Sequence, residues 1–529
     1  MNAFEPNPGL SAEPSARSDA VAERRADWIP AGLARPSGGS LRRALAWGLV
    51  WSAIGAATLY FLAPNPWPIQ PSRATELRAS LIVLDHGGPA LLGYLPGTHA
   101  PYAIGSSDDQ GIYVIVPVLS HWLGQSDPIA VLRWLWIAAW ALALLFSAAV
   151  LRSLFRSSWA ALLAPPTLLV CILSFGFGDI YWIAAWVVVT FMPLLVLLAR
   201  NRPRRLWAAL ALIALVAGTC TAIRSNAGLP VAIAAAAVAV MAGRRWPSRV
   251  TVTVVVALAY LIPTWIVLPA IRAHRDHRVG VRLSANTPTS HPFWHSLYAG
   301  LGYTSNRYGI HYDDSYAAAA AQEADPGVRY LSPAYASALH GQVDALIEHD
   351  PGFMARVEVE KAVVELSHAG RYILLLALML PAALTARGLT RLRRGELALF
   401  LPALVIGALP AVVAVPFRDY ELTLFAPLGV LGLLTIGSAA ARAEGEWIAA
   451  HGSTRGPTAH ARLALLGLWG RWPRRLTTPV LLVAAVIVTS AFVFARHLEG
   501  EHERWDRDKR NPPTVVLAAA AADSPAAKA

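Results

Sequence analysis

Two adjacent carboxylates, Asp108 and Asp109, stand between Gly105 and Gly111 and directly before an apolar run, in a chain with only 15% charged residues. One of them can accept the proton of an attacking hydroxyl, with its pKa tuned by the other carboxylate or by a cation. Both together can hold a hard divalent cation against a phosphate. A third interpretation is structural, because aspartates before a helix cap its first turn and interact with its positive end.

Two further polar stretches lie at the outer mouths of apolar runs. "VPFRDYELTLFAPLGV" holds Arg418, Asp419 and Tyr420, and "TAIRSNAGLP" places Arg224 and Asn226 in a tight turn. A guanidinium binds phosphate through two parallel hydrogen bonds, so both arginines are candidate substrate ligands, with Tyr420 beside the first. The alternatives are an Arg418–Asp419 ion pair or a helix-end anchor, and for Arg224 a side chain that extends to the bilayer interface.

A third polar region holds histidines and a mixed set of side chains. His291 and His295 are four residues apart, a spacing compatible with a metal on one helix face, but the glutamate of the metalloprotease pattern is missing. A polar loop also tolerates histidines that bind nothing; if this pair binds a ligand, we expect a polar ligand rather than a metal. "GLGYTSNRYGIHYDDSY" suits a sugar or pyrophosphate pocket, although an ordinary polar loop also supplies such residues. Its candidates are Tyr303, Arg307, Tyr308, Asp313 and Asp314.

The elements that must position these residues are apolar. The chain of 529 residues is 55% hydrophobic, which together with its low charge is typical of a membrane protein. Lipid cannot hydrogen-bond a backbone and no alternating strands appear, so the apolar runs are predicted to be helices of the ~20 residues that cross a bilayer. We predict an all-α polytopic membrane protein with about eleven spans: 43–63, 129–151, 158–175, 180–199, 206–222, 227–242, 250–270, 371–386, 397–415, 421–441 and 477–496.

Arginine-rich links fall at every second crossing, as a cytoplasmic series does, so the N-terminus is predicted to be cytoplasmic and the C-terminus extracytoplasmic. This topology explains most of the net charge of +12, and no nucleic-acid partner is expected. The predicted units are a disordered tail (1–42), an N-terminal membrane module (43–270) whose first outer loop is 64–128, a large outer helical loop (271–370), a C-terminal membrane module (371–496) and a disordered outer tail (497–529).

Helices are also predicted outside the membrane. "GIYVIVPVLSHWLG" is predicted to be a short interfacial helix that contains Pro117. In the 271–370 loop we predict three helices, the first two capped by Ser290 and Ser332, and an irregular stretch too polar to be buried. Asp179, between two apolar runs, is expected to form a turn. The second loop helix should bury a stripe of Tyr335, Leu339, Val343 and either Leu346 or Ile347.

This arrangement of one span, a first outer loop with an acidic pair and interfacial helices, and then many spans with further outer loops resembles the GT-C superfamily of integral membrane glycosyltransferases. That superfamily includes protein O-mannosyltransferases and mycobacterial arabinosyltransferases. The resemblance implies that Asp108 or Asp109 is the catalytic base or, as in some members, a metal ligand, and that the donor is a polyprenyl-phosphate sugar. Arg418, Tyr420 and Pro427 resemble a late Arg-Tyr and Pro pattern of such enzymes, with Asp419 interrupting the pair.

The expected activity is inverting transfer of a sugar from a polyprenyl-phosphate donor to an extracytoplasmic glycan, lipid or protein. No cofactor is required by the sequence, although a divalent cation is possible. The alternatives are a polysaccharide polymerase or ligase, which would use the 271–370 loop for catalysis, and a lipid-carrier transporter or flippase. The flippase expects ionisable groups near the bilayer midplane or repeated halves, and the sequence shows neither.

Overall fold

The computed structural model describes residues 38–97, 99–105, 109–175, 179–201, 205–242, 246–283, 291–379, 394–416, 418–451 and 496–504. Asp108, Ser290, most of the predicted span 477–496, the end of the span 371–386, nearly all of the N-terminal tail and the outer tail beyond residue 504 lie outside the described residues.

The elements are almost all helices. In chain order they are α1 (Gly38–Leu62), α2 (Pro71–Asp85), β1 (Leu92–Tyr94), β2 (Pro101–Ala103), α3 (Ile112–Trp122), α4 (Pro128–Phe155), α5 (Ser158–Phe175), α6 (Trp182–Asn201), α7 (Leu206–Ile223), α8 (Leu229–Ala242), α9 (Trp246–Leu261), a π-helical turn (Ile262–Val267), α10 (Leu268–Val279), α11 (Phe293–Gly300), a 3₁₀ turn (Leu301–Tyr303), α12 (Asp314–Ala324), α13 (Pro333–His349), α14 (Pro351–Met379), α15 (Arg394–Ala398), α16 (Leu401–Val413) and α17 (Arg418–His451).

Within the described ranges, six helices are long and apolar enough to cross a membrane: α1, α4, α6, α7, the continuous helix from α9 through α10, and α17. A largely helical membrane architecture is therefore confirmed, although the first outer loop adds a two-stranded sheet that was not predicted. The predicted runs at 158–175, 227–242 and 397–415 also form apolar helices, but these fall short of the same criteria, so the count of eleven spans is not confirmed. The helix predicted to end at residue 270 continues to Val279 and ends at Gly280, which adopts the left-handed conformation.

The membrane helices pack around large aromatic side chains and close helix contacts. Trp136 and Trp140 of α4 are almost completely buried in one apolar cluster that extends through α5, α6, α7, α8 and α17. A Cβ at Gly48 of α1 would lie 2.2 Å from the carbonyl oxygen of Leu145 in α4, so the two backbones touch only because this residue is glycine. The predicted spans thus form one packed unit through α1–α9 and α17 rather than a loose set of helices.

The first outer loop is built from α2, a short hairpin and α3. Strands β1 and β2 are antiparallel, with Leu92 opposite Ala103. Helix α3 contains Pro117, as predicted. Helix α2 was not predicted, and it packs against α3 through a buried face that includes Leu77 and Leu81.

The large outer loop contains one helix more than predicted. Ser332 caps α13 by accepting a hydrogen bond from the Tyr335 amide at 3.1 Å, as predicted. In the predicted apolar stripe of α13, Tyr335, Leu339 and Val343 are buried, while Ile347 is exposed. The additional helix is the alanine-rich α12, which packs on α13.

The prediction that the stretch between α11 and α12 stays outside the core was wrong. Thr304, Ile310 and His311 are all buried. The Asn306 amide donates hydrogen bonds to the carbonyl oxygens of Thr304 at 2.9 Å and Ile310 at 2.8 Å. One side chain thus satisfies two backbone carbonyl groups of this polar segment, while the buried Thr304 hydroxyl has no hydrogen-bond partner among the described residues.

Candidate functional site

The backbone around Asp109 brings the first outer loop against the end of a membrane helix. Gly105 and Asp109 both have positive φ angles, 70° and 61°, and the Gly111 amide donates a hydrogen bond of 2.8 Å to the carbonyl oxygen of Ala222. A Cβ at Gly111 would lie 2.7 Å from that same oxygen. Glycine is therefore required for this approach, which carries Asp109 to the residue that follows α7, Arg224.

The Asp109 carboxylate is held by two arginines. Its side chain is 1% exposed, Oδ2 accepts from Arg73 Nη2 at 3.0 Å, and Oδ1 accepts from Arg224 Nη1 at 3.2 Å and from the Ser225 amide at 3.4 Å. Helix α3 has no side-chain cap, so the capping interpretation does not describe Asp109. A buried carboxylate requires such partners, since burying it unpaired is strongly unfavourable.

Arg73 joins Asp109 to a second carboxylate that was predicted only to form a turn. It also donates to Asp179 Oδ2, and the Asp179 carbonyl oxygen accepts from the Trp67 indole at 3.0 Å. Sequence analysis missed Arg73, although a signal existed: it is four and eight residues before Leu77 and Leu81, on the buried face of α2. An arginine on an apolar helix face is the pattern that indicates a buried partner.

Arg224 lies in the predicted tight turn. Asn226 has a φ of 64°, and the Gly228 amide donates to Thr221 Oγ1 at 3.0 Å. The Arg224 guanidinium carbon lies 4.5 Å from the centroid of the Tyr181 ring, a cation–π contact, and its side chain is 16% exposed. The side chain is thus directed at Asp109 and an aromatic ring rather than extended to the interface.

A third acidic group, Glu76 of α2, borders this arrangement. Its carboxylate accepts from the Gly105 amide at 3.2 Å. Burial raises the pKa of Glu76, and the hydrogen bonds from Gly105 and Tyr113 offset part of that increase. The group defined by Arg73, Asp109, Asp179 and Arg224, called the Asp109 group below, therefore has a protonatable acid beside it.

The candidate residues of the 271–370 loop are not part of the Asp109 group. The rings of His291 and His295 stack with centroids 4.7 Å apart, and both approach Asp314. Helix α11 begins only at Phe293, so His291 precedes the helix and the prediction of one shared helix face was wrong. The hydrogen bond from His295 holds the pKa of Asp314 below its usual range.

The remaining loop candidates make structural contacts. Asp313 caps α12 by accepting from the Ser315 amide at 2.8 Å. Tyr303 is buried and stacks on His502 with ring centroids 4.6 Å apart. Arg307 is exposed and donates to Asp350 at 2.8 Å. Their predicted contacts with a substrate stay predictions.

Arg418 and Tyr420 lie in the first turn of α17, and their side chains fall outside what the structure describes. Pro427 lies inside the same helix. Their roles as phosphate and substrate ligands stay predictions.

A buried carboxylate–imidazole cluster near α17 was not predicted. His368 contacts Glu421 through Nδ1 and Glu499 through Nε2, the latter at 2.7 Å. Burial and the neighbouring Glu421 charge raise the pKa of Glu365 to about 9. The i, i+3 spacing of Glu365 and His368 is a signal available in the sequence, but their partners come from segments 53 and 131 residues beyond His368.

Comparison with known proteins finds similarity only among solved structures, since no protein family and no curated protein matches the chain. The Archaeoglobus fulgidus oligosaccharyltransferase in its apo form is 15% identical with a TM-score of 0.38, over 85% of this chain and 56% of that protein. ArnT from Cupriavidus metallidurans, bound to undecaprenyl phosphate, is 15% identical with a TM-score of 0.29, over 78% of this chain and 81% of that protein.

The chain spans little more than half the length of the archaeal enzyme. With TM-scores this low, what the chain does has to be inferred from its own side chains.

Proposed function

We propose that this chain is a membrane glycosyltransferase that moves a sugar from a polyprenyl-phosphate donor to an extracytoplasmic acceptor, with inversion at the anomeric carbon. The observation that carries the proposal is the buried Asp109 carboxylate held between Arg73 and Arg224, where the first outer loop meets the ends of α7 and α8. A carboxylate and two guanidinium groups at a helix end combine a proton acceptor with phosphate ligands.

The phosphate binds at Arg224 in this proposal. Arg224 is the more exposed of the two arginines, at 16% against 9% for Arg73. Its guanidinium releases the Asp109 carboxylate, binds two phosphate oxygens instead, and keeps its contact with the Tyr181 ring. Asp109 retains Arg73 during this exchange, so its charge stays compensated.

Asp109 then takes the proton of the acceptor hydroxyl. The acceptor oxygen attacks the anomeric carbon, the bond from that carbon to the phosphate oxygen breaks, and polyprenyl phosphate leaves with the bonding electrons, stabilised by Arg224. One displacement inverts the configuration. Asp108 is the alternative base, and Arg418 a second phosphate ligand, as the sequence predicts.

A divalent cation does not fit the described arrangement of the Asp109 group. Arg73 contacts both Asp109 and Asp179, so its guanidinium takes the place between the carboxylates that a cation would need. The proposed reaction therefore uses guanidinium groups for charge stabilisation, and no step passes through a metal.

Lipid retention tests the phosphate ligand. The full chain in lipid nanodiscs is incubated with undecaprenyl phosphate and examined by native mass spectrometry, as wild type, Arg224→Ala and Arg78→Ala. Arg78 is the matched control because it lies on α2, is 56% exposed and pairs only at 3.7 Å with Asp127 in the contacts described. We expect at least tenfold weaker binding for Arg224→Ala and unchanged binding for the control. Equal binding by all three proteins contradicts the assignment.

Turnover separates the transferase from its alternatives. The full chain is supplied with a panel of undecaprenyl-phosphate pentoses and hexoses and with envelope glycans, lipids and proteins as acceptors, and release of undecaprenyl phosphate is measured. A flippase binds the lipid and leaves the sugar–phosphate bond intact. A polymerase or ligase that uses the 271–370 loop retains turnover in Asp109→Asn, whereas the proposed transferase loses it.

A further inference from the structure

Three candidate metal ligands, two imidazoles and one carboxylate, lie close together in the large loop. His295 Nε2 lies 3.1 Å from Asp314 Oδ1, and His291 Nε2 lies 3.8 Å from Asp314 Oδ2. One ligand atom from each residue falls within 4.8 Å of the others. The two imidazoles stack side by side, so both Nε2 atoms face the same carboxylate. This geometry matches two imidazoles and a carboxylate around one ion.

The distances suit a small transition-metal ion. Zinc lies about 2.0–2.2 Å from imidazole nitrogen and carboxylate oxygen, so two ligand atoms of a tetrahedral site are about 3.3–3.5 Å apart. The two nitrogen–oxygen distances, 3.1 and 3.8 Å, bracket that range. Two imidazoles also favour zinc and its neighbours over magnesium or calcium, which prefer oxygen ligands.

Tyr335 orients the buried histidine. His295 is 3% exposed, and its Nδ1 is 2.7 Å from the Tyr335 hydroxyl. The phenol hydroxyl can donate to Nδ1 or accept from it. When Nε2 binds a metal, the ring carries its proton on Nδ1 and donates it to the Tyr335 oxygen, the usual arrangement of a metal-bound histidine.

The site is open on one side. The Asp314 side chain is 68% exposed and that of His291 is 22% exposed, whereas His295 forms the buried floor. An ion can therefore enter from solvent and keep a position for water or for a substrate oxygen, as three-ligand zinc sites do. The exposed Asp314 carboxylate could point into solvent, but it contacts both imidazoles instead.

We propose that His291, His295 and Asp314 bind one divalent transition-metal ion, with zinc as the best fit. This differs from the sequence-based expectation of a polar ligand, because the i, i+4 histidines supply two ligands and Asp314, 19 residues beyond His295, supplies the third. The ion connects the segment before α11 to the start of α12. It lies outside the Asp109 group and is independent of the proposed transfer reaction.

Metal content and thermal unfolding test this site in the full chain, purified in detergent with a tag free of histidine. The protein is treated with a chelator, then titrated with zinc or cobalt. We expect one equivalent of zinc per chain, a cobalt absorption spectrum of a site with nitrogen ligands, and a higher unfolding temperature with zinc. Asp314→Asn and His291→Gln are expected to weaken zinc binding at least tenfold.

The control is His121→Gln, because His121 and Asp85 form an exposed imidazole–carboxylate pair at 2.7 Å that offers two ligands. It should leave the stoichiometry at one. Both test variants change partly exposed side chains, so their folding is verified by the unfolding temperature without metal. Less than 0.1 equivalent of zinc on the wild type, or equal affinity in wild type and Asp314→Asn, overturns the proposal whatever the outcome for glycosyl transfer.

Discussion

Two places in the molecule pair carboxylates with nitrogen-containing side chains: the Asp109 group and the site of His291, His295 and Asp314. They differ in how deeply the carboxylate is buried and in how far apart in sequence its partners lie. Asp109 is 1% exposed, and its arginine partners lie 36 and 115 residues away. Asp314 is 68% exposed, and His295 is only 19 residues away. The first group therefore depends on the assembly of the outer loop with the membrane helices, whereas the second depends on packing within one loop.

The nitrogen groups determine which ligand each place suits. Guanidinium stays protonated and cannot bind a metal, so the Asp109 group suits an anionic ligand that competes for its arginines. Imidazole loses its proton near neutral pH and presents a lone pair, so the histidine site suits a cation. Burial in the first case strengthens ion pairs, and exposure in the second leaves an open position.

The largest effect is expected for Asp109→Asn. Loss of a general base reduces turnover by about 10²–10⁴-fold. The measurement is the rate of undecaprenyl phosphate release, with Asp85→Asn as an exposed control in the same loop. Removing one partner of a buried ion pair also destabilises by about 3–5 kcal/mol, so lipid binding and the unfolding temperature are measured in parallel. Turnover within twofold of wild type would exclude Asp109 as the base and favour Asp108, or a polymerase or ligase that uses the 271–370 loop.

Gly111→Ala tests whether the Asp109 group depends on the close approach of the Gly111 backbone to the Ala222 carbonyl oxygen in α7. Its Cβ would lie 2.7 Å from the Ala222 oxygen, which forces α3 away from α7 and lengthens the Asp109–Arg224 contact. We expect a destabilisation of about 1–3 kcal/mol and weaker lipid binding.

Gly341→Ala provides the contrast for that variant. No atom lies within 4 Å of its added Cβ, on an exposed turn of α13, so this change should stabilise by roughly 0.5–1 kcal/mol. Denaturant unfolding measures both variants. If Gly111→Ala and Gly341→Ala changed the free energy of unfolding equally, the proposed dependence of the Asp109 group on Gly111 would be contradicted.

Glu365→Gln examines a buried carboxyl group whose described neighbours are Glu421 and His368 rather than arginines. The folded-state pKa of Glu365 is raised from 4.5 to about 9, so the folded chain binds this proton more tightly than the unfolded chain. Its contribution to stability is full below the ordinary value and is lost as the pH rises towards 9. Glutamine carries no such proton, so its advantage over wild type should grow with pH.

Unfolding temperatures across that window measure the effect, with Glu348→Gln as a control at an exposed position of α13. Parallel curves for wild type and Glu365→Gln would contradict the assigned pKa.

A small effect is also expected for Ser332→Ala. The loss of the cap of α13 destabilises by about 1 kcal/mol. This change lies in the outer loop, so it should lower the unfolding temperature without altering undecaprenyl phosphate binding. If lipid binding also changes, the two regions are coupled and the comparison must be revised.

Local patterns predicted local structure well. The apolar runs indicated α1, α4, α6 and α7, and the Ser332–Pro333 pair indicated the start of α13, because the residues that determine these features are neighbours in sequence. Likewise, the turn at Arg224 followed from residues within four positions. These predictions needed no knowledge of the tertiary fold.

Tertiary partners could not be predicted in the same way. The contact of Arg73 with Asp179 spans 106 residues, and nothing in either segment specifies the other. Helix α12 was missed because its alanines show no amphipathic contrast, although they pack closely on α13. The burial of Thr304 and His311 was missed because Asn306 bonds the nearby carbonyl oxygens of Thr304 and Ile310, a pairing that composition alone does not reveal.

The helical segment from Trp246 to Val279, which includes the π-helical turn, is longer than the hydrocarbon core is thick. At ~1.5 Å per residue its 34 residues extend about 50 Å, against a hydrocarbon thickness of about 30 Å. Near its far end the buried Arg275 donates to the carbonyl oxygen of Leu91, just before β1. The helix is therefore long enough to extend beyond the hydrocarbon, and its far end contacts the first outer loop directly through Arg275.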